Sequence, residues 1–339
     1  MSADAKPRPA IHVRQLGHRF GPHEALRGVS FDVAPGEIFG FIGPNGAGKT
    51  TTIRVMTTLL EPTSGRVEIE GLDVSVDPER VRRLIGYMPD HPGVYEQVTV
   101  REYLEFFADA YDVSGGGRDY AAVEAVLELT DLTRLEDKLV AALSKGMQQR
   151  LQLGRVLLHD PRVLILDEPA SDLDPRARIE MRDLLVELRA MGKTIFLSSH
   201  ILTELADVCT SVAILERGSL VVAGPIAEIA DRLAAARAAP DDLRCALPPE
   251  APRCTRCTLR LRVRGDDAAV ARALVGAAFV SKVGPGPAGS VSVTYFGRDS
   301  EVEEIVRRLV AAGVGVLGVE PERSELERIF LEVTRGDLQ

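Results

Sequence analysis

The segment Gly-Pro-Asn-Gly-Ala-Gly-Lys-Thr at residues 43–50 constrains the possible folds of this chain more than any other. It matches the phosphate-binding loop pattern G-x-x-x-x-G-K-[ST], which requires a strand before it and a helix after it. Residues 37–42, Glu-Ile-Phe-Gly-Phe-Ile, predict a buried strand, and a helix is expected to begin near Lys49. Short apolar runs alternate with helical periodicities from residue 11 to about residue 229. This alternation predicts an α/β fold.

Glycines allow such a loop to wrap closely, so that successive backbone N–H groups point at phosphate oxygens. The N-terminus of the following helix adds a favourable partial charge. We expect Lys49 to reach the β- and γ-phosphates of a nucleotide and Thr50 to ligate Mg²⁺. The residues predicted to hold the nucleotide in this segment are Gly43, Pro44, Asn45, Gly46, Ala47, Gly48, Lys49, Thr50 and Thr51.

A second apolar run, residues 163–166, ends in the two acids Asp167 and Glu168. Considered alone the pattern is ambiguous, because buried strands often end in acidic residues. Together with the phosphate-binding loop, it predicts that Asp167 holds Mg²⁺ and that Glu168 orients or deprotonates the attacking water.

His200 follows a third apolar run, residues 194–197. A histidine at the end of a strand is more often structural than functional. Here it is expected at the carboxyl edge of the same sheet, where ligands of α/β proteins bind. We therefore predict that His200 contacts the γ-phosphate and acts in catalysis with Glu168 and Lys49.

The first domain is predicted to span residues 11–231, after a loose tail at residues 1–10. Its residues 100–159 are rich in helical sequence. Asp174 and Pro175 form a helix start, with a capping carboxylate and a proline at the first helical position. That helix is expected to stop near Gly192.

A linker rich in Ala, Pro and acidic residues is predicted at 232–252, followed by a small α+β domain at 253–339. Residues 258–263 predict an edge or half-exposed strand, residues 266–278 a helix and residues 291–295 another strand. Ser300 with Glu303, and Ser324 with Glu327, are spaced as capping boxes for two further helices.

The composition is that of a globular protein, with 27% charged residues and a formal net charge of −9. The negative charge argues against a general nucleic-acid binder, because phosphate neutralisation needs clustered Lys and Arg. The longest uncharged apolar stretch, residues 309–319, falls short of the roughly 20 residues of a membrane-spanning helix. Four cysteines and a beginning without the apolar core of a signal peptide predict a cytoplasmic location.

Five motifs occur in an order that resembles the ATP-binding subunits of ABC transporters. They are GPNGAGKTT at 43–51, LSKGMQQR at 143–150, LILDEP at 164–169, SDLD at 171–174 and Ser199-His200. The resemblance covers about residues 11–229. It implies a P-loop NTPase fold: an ABC ATPase domain with a helical subdomain at about 90–160, here followed by the small α+β domain.

The resemblance also implies further roles for individual residues. Two subunits would form a head-to-tail homodimer around two ATP and Mg²⁺. Ser144 and Gly146 would bind the γ-phosphate of the ATP held by the opposite subunit, and Asp174 would link the two sites. Phe20 matches the aromatic residue that stacks on adenine, although a core position is the alternative.

Four positions depart from the family pattern. Lys145 and Met147 stand where the signature usually has Gly and Gln. Asp90 takes the place of a loop glutamine; it is predicted to contact the nucleotide and to ligate Mg²⁺, with added negative charge near the γ-phosphate. Asp172 stands where glycine is common.

Residues 86–111 and the C-terminal segment 326–334 resemble the prokaryotic exporter branch with a separate permease. This implies an ATPase at the cytoplasmic face of the membrane, bound there only through a transmembrane permease subunit and without a nucleic-acid partner. The predicted cargo class is a drug, antibiotic, lipid, polysaccharide or ion. Two alternatives stay open: a soluble ABC ATPase, and an ATP-gated regulatory module that is not coupled to transport.

Overall fold

The computed structural model describes residues 8–90, 93–111, 120–202, 205, 208–229, 256–286, 289–296, 299–321 and 329. The described residues up to Pro225 form one compact unit, and those within Ile226–Glu332 form a second. The predicted linker at 232–252, the pair Ser324 and Glu327, and nearly all of the predicted C-terminal helix lie outside the described residues. The predicted domain boundaries therefore stay predictions.

Strands and helices alternate through much of the first unit. Its strands are β1 (Ile11–Phe20), β2 (His23–Val33), β3 (Ile38–Ile42), β4 (Ser64–Ile69), β5 (Leu72–Asp73), β6 (Ile85–Met88), β7 (Val163–Asp167), β8 (Thr194–Ser199), β9 (Ser211–Glu216) and β10 (Ser219–Pro225). Its α-helices are α1 (Lys49–Met56), α2 (Pro78–Leu84), α3 (Val100–Ala110), α4 (Ala121–Leu129), α5 (Lys145–Leu157) and α6 (Pro175–Ala190).

A six-stranded sheet in the order β10-β9-β3-β8-β7-β6 forms the centre of this unit. Its pairs are parallel except for β10 with β9. Every residue of β3, β7 and β8 is buried, as expected for parallel strands covered on both faces. Ile42 is in register with Ser199, and Asp167 with Ser198, so these strands end at one edge. The three predicted strands and the helix that begins at Lys49 are confirmed.

A second, antiparallel sheet has the order β2-β1-β4-β5, and its pairing was not predicted. Its inner face shares one hydrophobic core with the central sheet. Phe31 on β2 lies 5.5 Å, ring centre to ring centre, from both Phe39 and Phe41, and 5.9 Å from Phe196. This cluster joins β2 to β3 and β8, and it therefore fixes the antiparallel sheet against the strands that carry the loop.

The helix-rich character predicted for residues 100–159 is confirmed by α3, α4 and α5. The helix predicted after Asp174 is also confirmed, since the Asp174 carboxylate accepts backbone N–H bonds from Arg176 (3.0 Å) and Ala177 (2.9 Å). It ends at Ala190, and Gly192 follows with a φ of +88°. Gly192 thus supplies the left-handed backbone that commonly ends a helix.

The second unit has the order β11 (Arg256–Arg264), α7 (Asp267–Ala273), β12 (Val280–Pro285), β13 (Val291–Phe296), α8 (Asp299–Ala311) and β14 (Gly315–Pro321). Its antiparallel sheet has the strand order β12-β13-β11-β14. This β-α-β-β-α-β arrangement agrees with the α+β class predicted from the sequence.

One of two details predicted for the second unit is confirmed and the other is wrong. Of the two alternatives predicted for β11, the half-exposed strand is confirmed, since β11 buries Leu259 and Leu261 and exposes Arg262, and the edge strand is excluded, since β11 pairs with both β13 and β14. Ser300 does not precede its helix, because α8 already begins at Asp299, and the Ser300 hydroxyl donates to Glu301 at 2.8 Å. The alternation in β11 comes from one covered and one open face, which an inner strand of such a sheet also has.

Within the described ranges, the structure contains no helix with the length and apolar character needed to cross a membrane.

Candidate active site

A cavity of about 430 Å³ opens at the carboxyl edge of the central sheet. Its lining combines residues that lie far apart in the sequence. They are Phe20, His23, Ala25, Pro44, Asn45, Gly46, Gly48, Lys49, Thr50, Thr51, Asp90, Asp167, Glu168, Ser171, Asp172 and His200. The phosphate-binding loop, the two acids after β7 and the histidine after β8 therefore surround one space.

The loop between β3 and α1 owes its tight path to its glycines. Gly46 and Gly48 have φ values of +80° and +107°, in the region that favours glycine. A Cβ on Gly48 would also lie 2.7 Å from a methyl carbon of Leu26. Gly43 and Ala47 belong to the loop but are not among the residues that line the cavity. Both help to hold the loop: the Gly43 carbonyl accepts a hydrogen bond from Lys49 Nζ at 2.7 Å, and the Ala47 N–H donates to the Pro44 carbonyl at 3.1 Å.

Lys49 is buried at the base of the cavity, with 7% of its side chain exposed. Its Nζ lies 3.4 Å from Glu168 Oε1, and His200 Nδ1 lies 2.6 Å from Glu168 Oε2. Glu168 is thus held between the lysine and the histidine. Because Lys49 also lines the cavity, the phosphate groups of an incoming ligand would compete with Glu168 for its ammonium group.

Glu168 is fixed by its backbone as well as by its side chain. Its φ of +51° is unusual for a residue with a Cβ, and such strain persists only where the surroundings hold it. Here the Glu168 N–H donates to the Ser198 carbonyl at 3.2 Å and to Ser198 Oγ at 3.1 Å. This turn directs the Glu168 side chain into the cavity.

Asp167, the last residue of β7, is almost fully buried. Burial raises the pKa of its carboxyl group, and the charges of Asp90 and Glu168 act in the same direction, against a hydrogen bond that Ser198 Oγ donates at 2.6 Å. A cation beside Asp167 would relieve the cost of its negative charge.

The donor set around Asp167 fits Mg²⁺ of the kind that accompanies a nucleotide. Thr50, Asp90 and Asp167, whose side chains carry oxygen atoms, all line the cavity. Among the described residues, no three His, Cys, Asp or Glu side chains are grouped so as to hold a metal by themselves. Oxygen atoms of this kind are the ligands that Mg²⁺ prefers, and waters and substrate phosphates usually complete its coordination.

Asp90 follows β6 and reaches the cavity from the far side of β7. Its Oδ1 accepts a hydrogen bond from Ser171 Oγ at 3.3 Å. Ser171 follows Glu168 by three residues, so this bond ties the segment after β6 to the segment that carries Glu168.

Phe20 lines the cavity with 48% of its surface exposed, which excludes the alternative of a core aromatic. Its ring meets that of His18 edge to face, at 4.5 Å between centres. An exposed aromatic face of this kind can stack on a planar base.

Besides Gly43 and Ala47, three further predicted residues do not line this cavity: Ser144, Gly146 and Asp174. Ser144 caps α5 by accepting the Met147 N–H at 3.3 Å, and Asp174 caps α6. Gly146 lies against α6, because a Cβ there would be 2.8 Å from the Cβ of Ala177. Their roles toward the ATP of an opposite subunit stay predictions.

His23 and Ala25 in the lining, and Ser198 behind Asp167, were not singled out from the sequence. Ser171 was noted there only as part of the SDLD motif, and Asp172 only as a departure from the family pattern. His23 and Ala25 come from β2, whose position depends on the unpredicted antiparallel sheet. Ser171 could have been found from its place three residues after Glu168. Ser198 lies beside Asp167 because β7 and β8 pair with these two residues in register. The sequence alone does not predict this register.

A family model described as ABC transporter matches residues 26–171. The chain is 37% identical over 218 residues to the Nod factor export ATP-binding protein I of Burkholderia lata, covering 64% of this chain and 71% of that protein. It is 40% identical over 211 residues to the bacitracin transport ATP-binding protein BcrA of Bacillus licheniformis, covering 62% and 68%. Other curated relatives are longer, and the chain spans 61% of one and 58% of another.

A solved structure described as the ATP binding subunit of an ABC transporter covers 68% of this chain and 95% of its own chain. It has 34% identity and a TM-score of 0.59. The region matched by the family model contains β3, the phosphate-binding loop, β7 and the acids Asp167 and Glu168. The chain therefore belongs to the ABC transporter family and carries its ATP-binding domain, the ATPase of these transporters.

Proposed function

We propose that this chain is the ATP-hydrolysing subunit of an ABC exporter and that it drives a separate transmembrane permease from the cytoplasmic face of the membrane. The convergence of Lys49, Asp167, Glu168 and His200 on one cavity beside the phosphate-binding loop supports this proposal. Those four side chains supply a phosphate ligand, a metal ligand, a base and a hydrogen-bonding group for the transferred phosphoryl group.

The proposed hydrolysis is carried by residues of this chain. The loop N–H groups and Lys49 hold the β- and γ-phosphates, and Phe20 stacks on adenine. When the phosphates bind the Lys49 ammonium group, Glu168 loses its ion pair with Lys49. Its carboxylate can then orient and deprotonate the attacking water. His200 donates to the γ-phosphate as negative charge develops on it. Mg²⁺, when bound by Thr50, Asp167 and Asp90 with the phosphates, supplies further neutralisation of that charge.

We further propose that two copies close head to tail around two ATP. In that dimer Ser144 and Gly146, at the N-terminus of α5, would face the γ-phosphate held by the other copy. An exposed helix N-terminus suits an anion. ATP would favour the closed dimer because its γ-phosphate is bound from both sides, and hydrolysis would remove that bridge and reset the permease.

The names of the relatives support an export role. One is a Nod factor export protein and another a bacitracin transport protein. The proposed cargo is of that general class: a drug, antibiotic, lipid, polysaccharide or ion. A regulatory module without hydrolysis is disfavoured, since the Glu168 carboxylate, which we propose to activate water, lines the cavity.

Purification of the tagged chain from its native membranes tests the transport role. We expect an integral membrane protein to copurify, and we expect Glu168→Gln with ATP to double the mass of the chain in solution. Copurification with ribosomes or nucleic acid and no membrane protein would favour the soluble ATPase instead. An unchanged mass with bound ATP would contradict the dimer.

A further inference from the structure

An ion pair beside the cavity links two segments that the proposed function assigns to different nucleotides. Lys145 is the first residue of α5, in the signature segment, and its Nζ lies 2.8 Å from Asp172 Oδ2 of the same chain. Asp172 lines the cavity that contains Lys49 and Glu168, whereas Lys145 does not. The signature lysine therefore contacts the wall of the cavity of its own chain.

The cavity lining carries an excess of negative charge, to which the Asp172 partner of Lys145 contributes. Four acids line it, namely Asp90, Asp167, Glu168 and Asp172, and Lys49 is the one Lys or Arg among its described lining residues. A nucleoside triphosphate that enters brings several more negative charges. Asp172, which is largely exposed and has no metal or phosphate role in the proposed mechanism, would repel it unless compensated.

The backbone holds Asp172 in this position. Its φ of +56° is a left-handed conformation that Asp and Asn adopt more readily than most other residues. Its carboxylate lies against the first residue of α5, where the helix N-terminus adds a partial positive charge to that of the Lys145 ammonium. Lys145 and the start of α5 thus compensate Asp172 together.

We propose that Lys145 acts within its own chain as a positioning residue for nucleotide binding, by neutralising Asp172 beside the incoming phosphates. This inference rests on the proposed function, in which the cavity holds ATP. It differs from a direct contact between Lys145 and the nucleotide of an opposite subunit, because here the effect of Lys145 passes through Asp172.

A double-substitution cycle on the full chain separates these two roles, with equilibrium binding of the fluorescent analogue mant-ATP with Mg²⁺ as the readout. Lys145→Met keeps the aliphatic stem of the side chain and removes its charge. Asp172→Asn keeps the shape and the tolerance for left-handed φ. We expect Lys145→Met to weaken binding about two- to fivefold at low salt, the size of an exposed pair. In the Asp172→Asn background the same substitution should change binding less than about 1.5-fold.

The controls separate charge from structure. Lys145→Arg should bind as the wild type does, and the loss in Lys145→Met should shrink at about 0.5 M salt, where exposed charges are screened. Arg66→Ala, which breaks the 2.8 Å pair with Asp73 on the antiparallel sheet, should leave binding unchanged.

An equal loss from Lys145→Met in both backgrounds, or no loss in either, would overturn the inference while leaving the proposed function standing. Failure of the wild-type chain to bind mant-ATP would instead overturn the proposed function and the inference with it.

Discussion

The central sheet of the first unit and the sheet of the second unit use their strands in different ways. Strands β3, β7 and β8 are buried along their whole length, and their carboxyl ends deliver Lys49, Glu168 and His200 to one edge. In the second unit, β11 buries Leu259 and Leu261 and exposes Arg262 between strand partners on both sides. In a parallel sheet that is covered on both faces, the polar side chains of a ligand site lie at the carboxyl ends of the strands.

Backbone strain also differs between the first unit and the second. The described non-glycine residues with left-handed φ all lie in the first unit, and they are Gln15, Thr58, Glu70, Asp131, Asp160, Glu168, Asp172 and Arg217. Two of them, Glu168 and Asp172, line the cavity. At these two positions the left-handed backbone places a carboxylate at the cavity wall, whereas the described part of the second unit has regular elements around a small core.

The largest expected effect comes from Lys49→Met, which removes the buried cation at the base of the cavity. We expect the affinity for ATP to fall at least about a hundredfold, because a charge-assisted contact to phosphate is lost. Isothermal titration measures the change. Lys193→Met is a matched control, since Lys193 is similarly buried in an ion pair with Asp160 but lies outside the cavity. If Lys49→Met and Lys193→Met bound ATP with equal affinity, the phosphates would not bind at Lys49.

Leu261→Ala tests whether the second unit is independent of nucleotide binding. Leu261 is completely buried in the core of that unit, so its truncation should cost about 2–5 kcal/mol of unfolding free energy there. Hydrogen exchange should show lost protection in β11 and β13, with unchanged protection in β3 and an unchanged ATP affinity. Leu317→Ala, at a position with 57% exposure, is the control. A parallel loss of ATP affinity would show that the two units are coupled.

The smallest effect concerns a histidine buried in the first unit. His159 donates from Nε2 to the Ile85 carbonyl at 2.9 Å, and burial lowers its pKa. Its contribution to stability is therefore complete above about pH 6.5 and is lost as the pH falls through the lowered pKa.

His159→Gln keeps a donor for the Ile85 carbonyl and cannot become charged. We expect urea unfolding to show less than about 1 kcal/mol difference from the wild type at about pH 7.5, and a weaker loss of stability toward about pH 5. An identical acid dependence in both proteins would contradict the neutral, buried state of His159.

Much of the site could be predicted because its parts are local patterns joined by one topological rule. The loop before Lys49, the acids after β7 and the histidine after β8 each follow an apolar run, and parallel strands end at a common edge. His23 and Ala25 could not be predicted this way. They reach the cavity through the pairing of β2 with β1 and its packing on Phe39, which are contacts between distant parts of the chain.

The sequence left open whether β11 is an edge strand or a half-exposed strand. Alternation along β11 reports which face is covered, but it does not report whether another strand lies on each side. The contacts of Glu168 with Lys49 and His200 could also not be predicted from the sequence. It depends on a φ of +51° at Glu168 and on the Ser198 bonds that hold this turn.

Phosphate release from ATP by wild type and Glu168→Gln, each purified with the membrane protein that we propose as its partner, tests the central claim most directly. We expect Glu168→Gln to hydrolyse ATP at least about a hundredfold more slowly, because the base that activates water is lost. It should bind ATP as tightly as the wild type or more tightly, since Lys49 no longer faces a competing carboxylate. Hydrolysis by Glu168→Gln at the wild-type rate, or background rates in both proteins, would contradict a catalytic role for this cavity.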